Sequence, residues 1–379
     1  MTGLHDFLQA RIEAGVVPGA VALVARGDEV AVAAAGYHDV QATVPMARDS
    51  IFRIASITKP IIAVAAMLLV EDGLMALEDP VARWLPELAA PMVLRRPDGP
   101  VDDVVPAARP ITVRDVLDSR AGYGFPADFS WPAVRLLLYL QPGVRPDLLP
   151  APDPWLARLA GLPLLYQPGE GWLYNTCYDL LGVLIARVAG RPLPEFLAER
   201  LFEPLGMLDT GFEVPAGKLH RLPRCYQDGQ SGLELMDLPD EQWSKPPAFP
   251  SGAGGLVSTV DDWFAFARML LAGGAAGDRR VLSPDSVRLI TTDQLTSAQR
   301  EAGRLFLEGQ GWGFGGSVDV EVLEPWNVPG RYGWVGGTGT AAHISAATGA
   351  VTILLTQRMM ASPTPPELMR EFWRYAATA

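Results

Sequence analysis

Ser56 and Lys59 carry the clearest chemical signal in this sequence. On a helix, residues three apart lie on one face, so the two side chains can meet. A neutral amine within hydrogen-bond distance of a serine hydroxyl can take its proton and turn the oxygen into a nucleophile. The pair therefore predicts a hydrolase that forms a covalent acyl-enzyme on Ser56, with Lys59 as the activating group.

The pair needs a helix to position it, and residues 57–74 predict one. Because this stretch is apolar on all sides, we expect the helix to be buried and to end at Gly73. A helix N-terminus favours a developing anion near Ser56, and burial lowers the pKa of an amine such as Lys59. The alternative interpretation has Ser56 as an ordinary N-cap and Lys59 as a solvated residue of the first turn.

Chance does not account well for this spacing. With 14 serines and three lysines among 379 residues, about 0.1 such pairs are expected at random. Other nucleophile patterns are missing, since no G-x-S-x-G sequence occurs and the histidines form no H-x-x-x-H pair. The four scattered histidines are His5, His38, His220 and His343. These observations argue against an α/β-hydrolase and a metallohydrolase, and we expect His343 to be structural or pocket-lining.

The composition restricts the partners. The net charge of −12 disfavours nucleic acid, because an acidic chain repels phosphate backbones. The longest apolar run, residues 60–70, is about half of what a membrane span needs. Cys177 and Cys225 allow at most one disulfide, and residues 1–6 show no signal-peptide pattern. We therefore expect a reduced, cytoplasmic protein that binds neither nucleic acid nor membrane.

The pattern along the chain places strands near both ends and helices in the middle. The economical architecture is one sheet built from both termini, residues 1–75 and 250–379, with a mainly helical lobe, residues 76–249, inserted and a cleft between them. Residues 141–171 hold seven prolines and predict a long irregular loop with a short helix at 155–159. The other predicted elements are helices at 4–14, 113–117, 179–189, 195–201, 261–271 and 367–375, a hairpin of strands 19–25 and 29–35, and strands at 311–314, 333–344 and 351–357.

Residues 52–59, Phe-Arg-Ile-Ala-Ser-Ile-Thr-Lys, followed by an apolar helix and Glu-Asp-Gly at 71–73, closely resemble the nucleophile segment of the serine β-lactamase-like superfamily. The most similar branches are class C β-lactamases, family VIII carboxylesterases and DD-peptidases. The order and spacing of further matching segments extend the resemblance over nearly the whole chain. These segments are residues 111–117, 121–124, 168–169, 174–176, 180–182, 254–259 and 333–337.

The resemblance implies an α+β fold of the β-lactamase/DD-peptidase type, an antiparallel sheet flanked by helices plus a helical lobe. It also implies a Tyr-x-Asn element whose tyrosine, here Tyr174, exchanges protons with the lysine. A phenol beside an ammonium can ionise more easily, which suits that role; the alternative is a core aromatic. Thr176 stands where the motif has Asn, so the substrate contact at this position is held differently here.

The third element of the family, Lys/His-Thr-Gly, is replaced by Trp334, Val335 and Gly336. An indole cannot hold a substrate carboxylate as a lysine does, which argues against penicillin or D-Ala-D-Ala substrates. The Trp-x-Gly sequence resembles the esterase branch. The resemblance implies an oxyanion hole made by the backbone N–H groups of Ser56 and of Gly337 or its neighbour. Residues 336–339 as a plain bulge or turn remain the alternative.

These features together predict a carboxylic-ester hydrolase that acts on a small-molecule ester and needs no metal or cofactor. An apolar acyl pocket lined by tryptophans is a further hypothesis, although a tryptophan is more often a core residue. Its candidates are Trp131, Trp155, Trp172 and Trp334. Three alternatives stay open: a β-lactamase or DD-peptidase, an acyltransferase that uses the same acyl-serine, and a non-catalytic binding protein of the same fold.

Overall fold

The computed structural model describes residues 3–141 and 149–378 as a mixed α+β fold. Its helices are α1 (Leu4–Glu13), α2 (Lys59–Glu71), α3 (Val113–Leu117), α4 (Pro132–Leu138), α5 (Pro152–Ala160), α6 (Thr176–Ala189), α7 (Leu193–Leu197), α8 (Glu203–Leu205), α9 (Val260–Leu271), α10 (Pro284–Thr291), α11 (Ser297–Ala302), α12 (Arg304–Leu307) and α13 (Glu367–Thr378). Its strands are β1 (Gly19–Arg26), β2 (Glu29–Gly36), β3 (Phe52–Arg53), β4 (Met92–Leu94), β5 (Val104–Pro106), β6 (Cys225–Gly229), β7 (Gly232–Asp237), β8 (Val257–Ser258), β9 (Ala275–Ala276), β10 (Arg279–Arg280), β11 (Gly311–Trp312), β12 (Ser317–Val318), β13 (Tyr332–Gly336), β14 (Thr340–Ser345) and β15 (Ala350–Thr356).

The main sheet is antiparallel and runs in the order β11-β12-β13-β14-β15-β1-β2. Strand β1 joins the C-terminal strands of the sheet to the N-terminal ones. Its Val21 faces Leu355 of β15 on one side and Ala34 of β2 on the other. Every residue of β1 except Arg26 is buried, as expected for a strand covered on both faces. Strands from both ends of the chain thus form one sheet.

The terminal helices pack on this sheet and fix its outer strands. Phe7 of α1 stacks on Tyr375 of α13, with ring centroids 5.1 Å apart. Helix α9 lies against β14, β15 and β1. Its N-cap, Thr259, accepts a hydrogen bond from the Asp262 backbone N–H, which satisfies a donor at the helix start. These helices thus cover the part of the sheet formed by β2, β1, β15 and β14.

Helix α2 is the buried helix that the sequence predicts. All of its residues from Lys59 to Leu69 are buried, and it packs against α6. It is preceded by a tight 3-10 turn, Ala55–Thr58, so the regular helix begins at Lys59 rather than at residue 57. Gly73, with a φ of 71°, ends it in the left-handed conformation that glycine adopts without strain.

The middle of the chain departs from the prediction in two places. The proline-rich segment 141–171 contains α5, nearly twice as long as the short helix expected there, because its prolines lie at the helix start, where no N–H is needed; residues 142–148 lie outside the described residues. The hairpins β4–β5 and β6–β7 also lie in this mainly helical part, and they were not predicted.

Three smaller findings concern the described residues. The strand predicted at 311–314 is only the two residues of β11, because the backbone turns at Gly315, which has a φ of 85°. Within residues 3–141 and 149–378, no helix has both the length and the apolar character needed to cross a membrane. Cys177 and Cys225 are both buried free thiols.

Candidate active site

Ser56 lies in the 3-10 turn that leads into α2. Ala55, just before it, adopts a φ of 45°, in the left-handed region that residues with a side chain rarely occupy. The turn brings Ser56 Oγ to 2.8 Å from the Nζ atom of Lys59. The predicted meeting of the two side chains is therefore present, and the strained backbone beside Ser56 is the kind of feature that clusters at functional sites.

Strands β13 and β14 hold the segment before Ser56 in place. The Thr340 hydroxyl donates to the Ile54 carbonyl at 2.9 Å, and the Thr338 hydroxyl donates to the Arg53 carbonyl. Gly336 lies so close that a Cβ atom would clash with the Ile54 carbonyl and the Thr340 hydroxyl. Glycine at this position therefore allows β13 to approach the nucleophile segment directly.

Lys59 is fully buried, and its Nζ atom has three polar neighbours. These are Ser56 Oγ at 2.8 Å, the Ala253 carbonyl at 2.6 Å and the Tyr174 hydroxyl at 3.4 Å. Burial lowers the pKa of Lys59 to about 7, and the negative charge of Asp179 acts in the opposite direction. A substantial fraction of the amine is thus neutral at neutral pH, as a base for Ser56 requires.

Tyr174 lies on the other side of the amine and is held by aromatic neighbours. Its ring stacks on Phe306 with centroids 4.6 Å apart, and its hydroxyl accepts a hydrogen bond from Trp334 Nε1 at 2.7 Å. Burial raises the pKa of Tyr174 to about 12, although hydrogen bonds with Ser56 and Trp334 act the other way. The expectation that this phenol ionises more easily is therefore wrong: it keeps its proton and can donate it.

Trp334 has a contact that the sequence did not reveal. Besides its hydrogen bond to Tyr174, its ring packs edge-on against Trp312, with centroids 4.8 Å apart. A lysine at this position would bind a substrate carboxylate. Trp334 stands there instead, and it fixes the orientation of Tyr174. The site consequently has no cation at this position.

Gly337 follows β13 and lines the cleft beside Ser56. The residue is exposed, and a Cβ atom there would meet open space. Within residues 3–141 and 149–378, neither its N–H nor that of Ser56 donates to a protein acceptor. Two free N–H groups at the nucleophile are what an oxyanion hole needs.

Asn175 lines the cleft, whereas the side chain of Thr176, at the position of the motif's asparagine, does not. Thr176 is fully buried and accepts a hydrogen bond from Gln141 Nε2 at 3.1 Å, so its side chain lies away from the cleft. Asn175 lines the cleft instead, at a φ of 83°, and its amide donates to Gln141 Oε1. The positive φ, which Asn tolerates better than most residues, turns residue 175 toward the cleft.

The cleft, together with the open solvent at its mouth, encloses about 750 Å³ and extends from Ser56 toward the hairpin β6–β7. Its apolar wall consists of Met236, Trp243 and Met359 together with Cys225. Sequence reasoning missed all four, because they lie far from Ser56 in the chain and follow no motif. Trp155 and Trp172, proposed from the sequence as acyl-pocket residues, lie in the hydrophobic core. Trp131 packs against that core as well, and Trp334 lines a neighbouring cavity.

Metal-ligand geometry is not found in the described ranges 3–141 and 149–378, where no group of three or more His, Cys, Asp or Glu side chains could hold an ion. His343 is buried in β14 and packs edge-on against Trp373, with centroids 5.3 Å apart. Burial holds its pKa well below the usual value for histidine. It is a structural side chain that also lines a cavity, in line with the expectation from the sequence.

The sequence model of the Beta-lactamase family matches residues 4–371. This chain belongs to the beta-lactamase family. It is 39% identical to Protein Rv1367c of Mycobacterium tuberculosis. The match spans 354 residues, which are 91% of this chain and 87% of that protein. It is 32% identical to Esterase EstB of Burkholderia gladioli over 364 residues, 89% of this chain and 85% of EstB.

A solved structure in the family has the same fold. It is that of EstCE1, described as a hydrolase with promiscuous acyltransferase activity, and it superposes with a TM-score of 0.83 at 27% identity. The match covers 99% of this chain and 97% of EstCE1. The chain is thus a hydrolase of the serine β-lactamase fold, and the predicted α+β fold and family are confirmed.

Proposed function

We propose that this protein hydrolyses carboxylic esters through an acyl-enzyme on Ser56. The observation that carries the proposal is the 2.8 Å contact between Ser56 Oγ and a fully buried Lys59 amine whose pKa lies at about 7. Esters are favoured over β-lactams because Trp334 occupies the position of a carboxylate-binding lysine. The name of the relative EstB supports the same choice.

The chemistry begins when the Lys59 amine takes the proton of the Ser56 hydroxyl. The Ser56 oxygen then attacks the ester carbonyl carbon, and the N–H groups of Ser56 and Gly337 stabilise the resulting oxyanion. As the bond to the alcohol oxygen breaks, Tyr174 gives that oxygen its proton and receives one from Lys59, 3.4 Å away. Water repeats the sequence on the acyl-enzyme and releases the acid with Ser56 regenerated.

The test compares hydrolysis of p-nitrophenyl butyrate with that of a chromogenic cephalosporin. We expect ester turnover to exceed cephalosporin turnover and to disappear in Ser56→Ala. Ser345→Ala is a control, since this serine lies on β14 and its buried hydroxyl has no partner among the described residues. Retained turnover in Ser56→Ala, or a clear preference for the cephalosporin, would contradict the proposal.

Acyl transfer to an alcohol is a second candidate, favoured by the acyltransferase activity named for EstCE1. The same acyl-enzyme would serve, with an alcohol replacing water. Adding 1-butanol to the ester assay and measuring butyl butyrate against butyric acid separates the two. Predominant ester formation at low alcohol concentration would favour the transferase.

A further inference from the structure

Asp179 is a buried acid in the apolar run of α6, five residues after Tyr174. Its side chain is 1% exposed, and a carboxylate in such surroundings is strongly disfavoured unless it is compensated. The ester mechanism above does not use it. A buried charge that the chemistry leaves unexplained calls for a physical reason.

The two oxygens of Asp179 have different surroundings. Oδ1 accepts hydrogen bonds from the Ser251 hydroxyl at 2.6 Å and from the Ala253 backbone N–H at 3.1 Å. Oδ2 is buried and has no hydrogen-bond partner within the described residues. The carboxylate therefore binds one turn of the chain, residues 251–253, but is not neutralised there.

That turn leads directly to the catalytic base. The carbonyl of Ala253, whose N–H donates to Asp179, accepts a hydrogen bond from Lys59 Nζ at 2.6 Å. Gly252, between the two anchoring residues, packs so tightly that a Cβ atom would clash with the Tyr178 carbonyl of α6. With one N–H of the amine fixed on Ala253, the nitrogen lone pair can face Ser56 Oγ.

The charge of Asp179 also reaches Lys59 directly. The polar groups around the amine are Ser56, Tyr174 and the Ala253 carbonyl, and in residues 3–141 and 149–378 Asp179 is the charged group that acts on it. We propose that Asp179 is a positioning residue that orients Lys59 through Ala253 and sets its strength as a base. The inference rests on the proposed Ser56–Lys59 pair.

The experiment follows the rate at which a fluorophosphonate labels Ser56, identified by mass, as a function of pH. In the wild type we expect the rate to rise with pH around pH 7, as Lys59 loses its proton. In Asp179→Asn the negative charge is gone, so the rise should move to lower pH by about one unit. In Ser251→Ala the carboxylate loses a hydrogen bond and stays protonated to higher pH, so the rise should move the same way by less.

Asp262→Asn is the matched control, because Asp262 is also a buried acid with backbone and hydroxyl donors but lies at the start of α9. In this variant the rise in the labelling rate should stay at the wild-type pH. If Asp179→Asn does not fold, Ser251→Ala decides. Lower labelling rates with an unmoved rise in the folded variants would show that Asp179 only anchors the turn and would overturn the inference. A wild type not labelled at Ser56 would instead overturn the proposed function, and this inference with it.

Discussion

On one side of Ser56, Lys59, Tyr174 and Trp334 are joined by contacts of 2.7 to 3.4 Å between buried polar atoms. On the other side the apolar wall of the cleft includes the half-buried thioethers of Met236 and Met359, which take no part in that network, although the Arg53–Asp237 ion pair also lines the cleft there. The first side is rigid because each of its hydrogen-bonding groups has a defined partner. The second side is adaptable, since thioether side chains adopt several shapes at low cost.

This difference separates chemistry from recognition. Proton transfer needs atoms held within a few tenths of an ångström and shielded from water, and the aromatic side provides both. Binding an apolar acyl chain needs area and tolerance, and the methionine side provides those. Mutations on the aromatic side should therefore strongly reduce turnover, and mutations on the methionine side should change mainly which ester is preferred.

Lys59→Met should give the largest effect. Methionine has nearly the same length but no amine, so kcat/KM for p-nitrophenyl butyrate should fall by about 10³-fold or more. Because a buried ionisable group is removed, the melting temperature should stay the same or rise. Lys218→Met, at a lysine that pairs with Asp209, is the control and should keep full activity. Activity within tenfold of wild type would show that Lys59 is not the base.

Tyr174→Phe should lower kcat/KM by about 10²-fold, since the ring still stacks on Phe306 but the proton donor is lost. The loss should be larger for ethyl butyrate than for p-nitrophenyl butyrate, because p-nitrophenolate leaves without a proton. Tyr123→Phe is the control, with a hydroxyl that donates to the Leu162 carbonyl. Equal losses on the two esters would remove Tyr174 from the role of acid.

The pH dependence of kcat/KM should follow the protonation of Lys59. Since burial lowers the pKa of Lys59 to about 7, the neutral amine is lost as pH falls, and kcat/KM at pH 5 should be about 100-fold below its plateau. With the pKa of Tyr174 at about 12, its proton stays in place above neutrality, so no decline is expected up to pH 9. Steady-state rates at constant ionic strength check both limbs. A bell-shaped profile with a decline near pH 8 would contradict the assignment of a protonated Tyr174.

The same comparison explains what the sequence could predict. Ser56 and Lys59 are three residues apart, so helix geometry alone brings them together, and the apolar stretch after them shows the burial. Met236 and Met359 are more than 100 residues apart in the chain. They line the same cleft only because hairpin β6–β7 packs near the end of β15. Asp179 did leave a local signal, a single acid in an apolar helix. The sequence did not show that the side chain of Thr176 lies away from the cleft, because backbone dihedrals such as that of Asn175 do not follow from spacing.

Met236→Ala tests the adaptable side and should give the smallest effect. Removing this side chain lengthens the cleft, so the ratio of kcat/KM for p-nitrophenyl octanoate to that for the butyrate should rise by about fivefold. Leu235→Ala is a closely matched control, because this neighbouring residue of β7 is 48% exposed and is not among the residues that line the cleft. The butyrate rate itself should stay within about twofold of wild type, since no group of the proton-transfer network is touched. An unchanged chain-length ratio in Met236→Ala would place the acyl chain elsewhere, and a large loss on butyrate would show that the two sides of Ser56 are not independent.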